Sequence, residues 1–405
     1  MKVAIVHDYI KEYGGAERVL EALCEIFPDA PIYTAFCDEK GTAYEHFENK
    51  KIISSWAQGI PFFVSCLHSP LRFLAPFIWE SFDLSDYDVV VSSASWYITK
   101  GLKKPFGKNH FIEICYCHTP PRWLYGYNTA VNFQKYPLIR AYAAIVGHFM
   151  RLYDFKAAQR VNYFIANSKE VAGRIKKFYR RDSVVIYPPV GFTQGPVKSN
   201  PSRQGSSFAS LRVHAVGSPS SFATPHKDYY LIVSRIVGAK GLDLAVDAAI
   251  KAGFKLKIAG SSAGYGLEQE KLIKKAQGKV EFLDQVTDAE LVELYKGAKA
   301  FLALSKDEDF GITPVEAMLA GTPVIAYNGG GYKETILQDK TGLLFDDYSV
   351  EGLIKAIKEF EKMDFKPEDC IKQAEKFNKE RFKHEILDFV KSKIKNKNAK
   401  IQIKN

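Results

Sequence analysis

The sequence predicts an α/β protein of two doubly wound parallel-sheet, Rossmann-like domains facing each other across a cleft. Short apolar runs of strand length alternate with amphipathic helical stretches, and this alternation occurs in two separate blocks. Between the blocks lies a stretch rich in Pro, Ser and Gly, from Pro188 to Lys227. Short strands spaced by helices build parallel sheets covered on both faces. In such sheets the carboxyl ends of the strands line the ligand site.

In the first block the expected strands are Val3–Val6, Ile32–Ala35, Val89–Ser92, Phe111–Tyr116, Tyr163–Ala166 and Val184–Ile186, with a helix over Ala16–Ile26. The second block reads strand Tyr230–Val233, helix Leu242–Lys251, strand Leu256–Ala259, helix Gly266–Ala276, strand Val280–Leu283 and helix Asp288–Lys296. It continues with strand Ala300–Ala303, helix Pro314–Leu319 and strand Val324–Ala326. The expected division is a domain over 1–187, a linker with a flexible insert over 188–227, a second domain over 228–366, and a C-terminal helix with a basic tail over 367–405.

The chain has 405 residues, 46% of them hydrophobic and 25% charged, which excludes a disordered, collagen-like or coiled-coil protein and leaves apolar material for two cores. No run is apolar enough to span a bilayer: Ile60–Phe82 carries His68, Arg72 and Glu80, and Ala141–Met150 is too short. The opening Met1-Lys2-Val3-Ala4-Ile5-Val6 runs straight into His7-Asp8 and reads as a strand rather than a leader. Six scattered cysteines with no C-x-x-C pair suggest a reducing cytoplasm and no cysteine metal site. The histidines do not pair at zinc-ligand spacing either, so no metal is expected.

Net charge is +10 but uneven. From Lys100 to Arg181 there are 16 Lys/Arg against 3 acids, with 16 aromatic residues among 82. From Ile371 to the end there are 11 Lys/Arg against 4 acids. Basic residues interleaved with aromatics suit nucleic acid or an anionic membrane. No helix-turn-helix or RNA-binding signature accompanies them, so no nucleic-acid partner is expected.

Four places hold candidate chemistry. The run Glu308-Asp-Phe-Gly-Ile-Thr-Pro-Val-Glu316 follows a strand and opens a helix. Thr313 as N-cap, Pro314 at the first helical position and Glu316 three residues after the cap read as a capping box. Equally, Glu308 and Gly311 sit where ligands bind, and the helix start offers N–H groups and a positive dipole end to an anion. Carboxylates beside an anion site suit a ligand with hydroxyls and phosphates, as in a sugar nucleotide. Arg235 and Lys240, after the first strand of the second block, can neutralise a diphosphate, or they are solvated surface cations. Gly14-Gly15, between strand and helix, let a ligand approach the backbone, or form a simple turn. His118, at a strand's carboxyl end before Pro120-Pro121, is either structural or a site residue.

Together these residues resemble the retaining glycosyltransferases of family 4, which have the GT-B fold. The two glutamates with seven residues between them are met by Glu308 and Glu316, followed by Gly329-Gly330-Gly331 and Glu334-Thr335. Arg235 and Lys240 match the family's diphosphate pair, Gly14-Gly15 its N-terminal loop and His118 its N-domain histidine. The combination of His7-Asp8-Tyr9, Gly14–Arg18 and Tyr116–Pro120 is similar to bacterial mannosyltransferases of O-antigen and exopolysaccharide synthesis.

The resemblance implies roles. Residues 1–187 would bind the acceptor and 228–366 the nucleotide sugar. Arg235 and Lys240 would stabilise the leaving diphosphate without a metal or other cofactor. Glu308 would bind the donor sugar's hydroxyls with the backbone N–H groups of Phe310, Gly311 and Ile312, Glu316 the ribose hydroxyls, and His118 the sugar near its anomeric carbon. Gly14 and Gly15 would lie by the diphosphate. The implied partners are a nucleotide sugar, with GDP-mannose the leading donor, a glycan or lipid-linked acceptor, and an anionic membrane surface. That surface would be met through Leu67–Phe82 and Lys100–Arg181, on the inner face of the cell membrane. A GT-B sugar-nucleotide 2-epimerase and a nucleic-acid-binding protein are the alternatives.

Overall fold

The computed structural model describes residues 1–104, 111–129, 137–192, 228–261, 266–284 and 286–402. The first sheet and its helices run β1 (Val3–His7), α1 (Gly15–Ile26), β2 (Ile32–Thr34), β3 (Ile52–Ser54), α2 (Ala75–Glu80), β4 (Val89–Ala94), β5 (Ile112–Cys117), α3 (Arg122–Tyr125), α4 (Pro137–Arg160), β6 (Tyr163–Ala166), α5 (Lys169–Tyr179) and β7 (Ser183–Val185). Its seven strands are all parallel, in the order β3-β2-β1-β4-β5-β6-β7. Every residue of β1, β4 and β5 is buried, because helices cover both faces. The hydrophobic pattern did not predict β3, a three-residue, half-buried edge strand.

The second sheet follows with β8 (Tyr229–Val233), α6 (Leu242–Ala252), β9 (Lys255–Ala259), α7 (Gly266–Ala276), β10 (Val280–Leu283), α8 (Asp288–Gly297), β11 (Ala298–Ala303), α9 (Ile312–Leu319), β12 (Val324–Tyr327), α10 (Tyr332–Thr335), β13 (Gly342–Phe345), α11 (Val350–Phe360) and α12 (Pro367–Ala374). Its six strands are parallel too, in the order β10-β9-β8-β11-β12-β13. Strand order reverses between β1 and β4 in one sheet and between β8 and β11 in the other. A parallel sheet opens its crevice at such a reversal, because successive connections leave on opposite faces.

The last helix, α13 (Lys379–Gln402), returns to the first domain. Phe382, Ile386 and Val390, four residues apart, lie on one helical face and are buried in the core formed with α1 and β1. Each such burial contributes about 1.5–3 kcal/mol. The ammonium groups of Lys379 and Lys383 pair with Glu25 of α1, at 2.5 and 3.3 Å. Just before α13 the carbonyl of Phe377 accepts the N–H of Val190 at 2.8 Å, and in its first turn Arg381 donates to the carbonyl of Tyr187 at 2.8 Å. The segment is therefore a strap that packs on the first domain, and its packing continues past Val390, with Ile394 against the same core and the Lys393 ammonium over the Tyr163 ring. The insert expected within 188–227 lies, from residue 193 onward, outside the described residues.

The basic stretch from Lys100 to Arg181 is partly used inside the fold. The Lys100 ammonium is buried against Asp154, whose other oxygen accepts from the Tyr125 hydroxyl at 2.6 Å. Arg122 and Arg174 both bind Asp309. Arg181 donates to backbone carbonyls at the end of α4, those of Ala158 and Val161. Likewise much of Leu67–Phe82 is core, with Ala75, Ile78 and Trp79 buried, whereas Phe73 and Phe77 stay exposed. No helix among the described residues is long and apolar enough to cross a membrane.

Candidate active site

Glu308 lies in the loop after β11. Lys240, in a short turn before α6, donates to its carboxylate at 2.8 Å, and the Tyr332 hydroxyl stands at 3.5 Å. Burial works against the ionised form of Glu308, but the Lys240 ammonium and the Arg122 guanidinium overcome it and hold the carboxyl down to about 2. Glu308 is thus a carboxylate throughout the neutral range, able to accept hydroxyl hydrogen bonds.

The helix that follows begins earlier than its capping signal predicts. Gly311, at φ +89°, is the N-cap of α9, and neither Thr313 nor Glu316 caps it. A Cβ at Gly311 would stand 2.8 Å from the Tyr332 ring, so only glycine fits both the left-handed backbone and the space. The N–H groups of the first turn, those of Ile312 and its neighbours, have no intrahelical partner and point out of the helix start. The side chain of Phe310 serves the packing instead, buried against Tyr187 and Phe377.

Glu316 is buried, and its carboxylate has partners from both domains. Arg18 of α1 donates to Oε1, and the Tyr295 hydroxyl of α8 donates to Oε2 at 3.0 Å. That pairing, rather than a capping box, accounts for a carboxylate at this position. Arg18 also donates to the carbonyl of Gly191 at 3.3 Å.

The two glycines sit at the start of α1. Gly14 is its N-cap, and its N–H donates to the Glu17 carboxylate at 3.0 Å. A Cβ on Gly15 would meet the Ile312 side chain at 2.8 Å, so the bare backbone lets the starts of α1 and α9 approach across the domains. Arg235 extends from the end of β8, mostly exposed, with Glu12 at 4.0 Å. It does not share the Lys240–Glu308 contact.

His118 follows β5 and is buried. Its Nε2 is 2.9 Å from the Ser93 hydroxyl. Burial, and then the neighbouring His7, push the imidazole's pKa down to about 3, so His118 is neutral. Of its chain neighbours, Thr119 accepts from Arg174 of the same domain at 3.2 Å, and Arg122 pairs with Asp309 of the second domain at 2.7 Å.

Sequence reasoning missed the clamp around this site. Arg174 donates to the Asp309 carboxylate at 2.6 Å. Glu334 accepts the N–H groups of Lys169 and Glu170, both at 2.8 Å, so a residue of the second domain caps α5 of the first. Asn128 donates to Asp307 at 3.1 Å. Arg18, Arg122 and Glu334 stand in or beside motifs visible in the sequence, yet their partners are more than a hundred residues away and leave no local signal.

Residues 219–377 match the family "Glycosyl transferases group 1". A D-inositol 3-phosphate glycosyltransferase of Segniliparus rotundus is 27% identical over 200 residues, 46% of this chain and 41% of that protein. The alpha-1,3/1,6-mannosyltransferase ALG2 of Rhizomucor pusillus is 44% identical over 81 residues, 19% of this chain and 18% of its own. The matched stretch thus takes up less than half the length of these relatives. Among solved structures, Anabaena HepE in complex with UDP and glucose is similar at a TM-score of 0.65 and 17% identity, covering 97% of this chain and 100% of that one. The chain has the GT-B fold of two parallel-sheet, Rossmann-like domains, and its second domain matches the group 1 glycosyl transferases.

Proposed function

We propose that the chain is a retaining, metal-independent glycosyltransferase that moves mannose from GDP-mannose to a glycan or lipid-linked glycan in bacterial surface polysaccharide synthesis. The observation that carries the transferase reading is the Lys240–Glu308 pair, 2.8 Å apart at the strand-order reversal and beside the start of α9. It sets an ionised hydroxyl acceptor, a cation and free helix N–H groups side by side. A sugar joined to a diphosphate needs all three. The similarity to the ALG2 mannosyltransferase and the N-terminal motifs support mannose as the sugar.

Transfer breaks the bond between the sugar's anomeric carbon and the diphosphate oxygen and forms one to the acceptor oxygen. The transition state has oxocarbenium character, with negative charge growing on the leaving phosphate. Lys240, Arg235 and the α9 N–H groups meet that charge as it develops, so they act more on the transition state than on the ground state. The leaving phosphate takes the acceptor's proton, and attack from the same face retains configuration. Glu308 holds the sugar's hydroxyls, Glu316 the ribose, and neutral His118 the sugar near its anomeric carbon. Gly14 and Gly15 keep the diphosphate's approach open.

The acceptor reaches the first domain from an anionic membrane surface at the inner face of the cell membrane. Ile145, Phe149 and Leu152 of α4 are 63%, 66% and 50% exposed, with Phe77 at 61% nearby in sequence to α4's contact at Pro70. Arg140, Arg151 and Lys156 are exposed on the same helix. Apolar side chains flanked by cations suit an anionic interface, at about 1 kcal/mol per basic residue near the surface. Binding to anionic but not neutral vesicles at low salt, lost in Ile145→Ser/Phe149→Ser, is the expected result. Full recovery of the wild type in the soluble fraction, with no binding to anionic vesicles at low salt, would contradict it.

The transferase reading is tested by nucleoside diphosphate release from a panel of GDP-mannose, UDP-glucose, UDP-galactose, UDP-N-acetylglucosamine and GDP-fucose with EDTA present, with and without a bacterial lipid extract. Release from GDP-mannose alone, lost in Lys240→Ala, is expected. Release from a different donor would move the sugar. No release from any donor in either condition would overturn the reading.

A further inference from the structure

Behind His118 lies a chain of buried polar groups that transfer does not itself use. Glu17 Oε1 is 3.5 Å from His7 Nε2, His7 Nδ1 is 3.0 Å from Ser93 Oγ, and Ser93 Oγ is 2.9 Å from His118 Nε2. Glu17 Oε2 accepts the N–H of Gly14 at 3.0 Å. All four side chains are buried, so no bulk water can substitute for a missing partner. We infer that Glu17, His7 and Ser93 are positioning residues that fix His118 as its Nε2–H tautomer, leaving Nδ1 as an acceptor for a hydroxyl of the donor sugar. The sugar as partner rests on the transferase reading; the tautomer does not.

Proton counting gives the direction. A carboxylate only accepts, so His7 Nε2 facing Glu17 must carry a hydrogen. In a neutral imidazole the other nitrogen, Nδ1, is then an acceptor. The Ser93 hydroxyl has one proton and gives it to His7 Nδ1. Its oxygen can then only accept from His118, so His118 Nε2 carries the hydrogen. The reverse direction would point the bare Nε2 lone pair of His7 at a carboxylate. Among the described residues, no hydrogen-bond partner holds His118 Nδ1.

The substitution Glu17→Gln turns the chain around. The amide oxygen stays on the Gly14 N–H, which can only donate, and the amide NH2 then faces His7 Nε2. His7 becomes the Nδ1–H form, Ser93 donates to His118 Nε2, and the His118 hydrogen moves to Nδ1. Nitrogen-15 NMR of the imidazoles in the free full-length protein reads this directly, with the His118 signals assigned from a His118→Gln sample. The expected spectra show Nε2–H in wild type, Nδ1–H in Glu17→Gln, mixed tautomers in Ser93→Ala and a return to Nε2–H in Ser93→Thr. Turnover should fall about ten-fold in Glu17→Gln and Ser93→Ala and recover in Ser93→Thr, since one hydrogen bond to the sugar is lost and regained.

If Glu17→Gln does not fold, the Ser93→Ala and Ser93→Thr pair decides. An unchanged Nε2–H His118 in Ser93→Ala, or in a folded Glu17→Gln, overturns the inference. The NMR needs no substrate, so a protein inactive on every donor leaves the tautomer result intact and sinks only the transferase reading.

Discussion

Arg18 of the first domain donates to the buried carboxylate of Glu316 in the second, and the Tyr295 hydroxyl takes that carboxylate's other oxygen at 3.0 Å. The pair places α1 against α9 at the point where both glycines of the first loop lie. Each carboxylate oxygen keeps a second lone pair.

Removing Arg18 leaves a buried carboxylate without its cation. Breaking such a pair costs about 3–5 kcal/mol, and the 20% exposure of the Arg18 side chain puts the expected loss for Arg18→Met at the low end of that range. Urea denaturation measures it. The donor KM should rise as well, because Glu316 loses its orientation. A fully stable Arg18→Met would mean that the pair contributes nothing.

Glu308 and Lys240 predict a kinetic result. Loss of one preorganised charge partner at a developing charge typically lowers turnover about 100- to 1,000-fold, so Lys240→Ala should lose that much kcat with a smaller change in KM. Glu308 is ionised down to about 2, so the acid limb of turnover above pH 4 belongs to another group. Its depressed value also means that its contribution to stability is present above about pH 4.3 and is lost only as pH falls towards about 2. A kcat–pH profile for Glu308→Gln, reduced in height but unchanged in acid limb, is the expected outcome.

His118 carries a stability signature of its own. In the unfolded chain a histidine titrates near 6.5, whereas burial and His7 hold this one at about 3. Between those values the unfolded state binds a proton that the folded state refuses. The folded protein therefore loses stability as pH falls through that window, by at most about 1.4 kcal/mol per pH unit. Chemical denaturation between pH 4 and pH 7 should show a shallower slope for His118→Asn than for wild type. Equal slopes would show that His118 is not a buried neutral group.

The α13 strap predicts a loss of stability confined to the first domain. Phe382→Ala removes a fully buried ring from the core of the first domain and should cost about 3–5 kcal/mol. Differential scanning calorimetry should show the first domain melting earlier while the second keeps its transition. A variant with an unchanged profile would show that the strap is dispensable.

The strands were legible because parallel strands buried on both faces are unbroken apolar runs, as in Val89 to Val91, flanked by helices of different period. The edge strands β3 and β13 were not: Ile52–Ser54 and Gly342–Phe345 are three and four residues long, each with only one neighbouring strand. Glu308, Lys240 and Glu316 were singled out by their motif and their place after strands, and the fold sets Lys240 on Glu308. The start of α9 was misread because Thr313-Pro314 with Glu316 matches a local capping signal, while the forces that set it come from Tyr332, Arg18 and Tyr295, far along the chain. The same distance hid the cap that Glu334 places on α5 and the chain that joins Glu17 to His118. The basic stretch overstated the surface charge, since Lys100, Arg122 and Arg174 pair with carboxylates inside the fold.

The most direct test of retaining sugar transfer follows the anomeric proton of the sugar first released from GDP-mannose by NMR, with EDTA present and water as the acceptor. Retaining transfer predicts that nucleoside diphosphate appears together with a sugar of the donor's own anomeric configuration, and that both are released far more slowly in Glu308→Gln and Lys240→Ala. Release of the opposite anomer, or a sugar epimerised at C2, would contradict it.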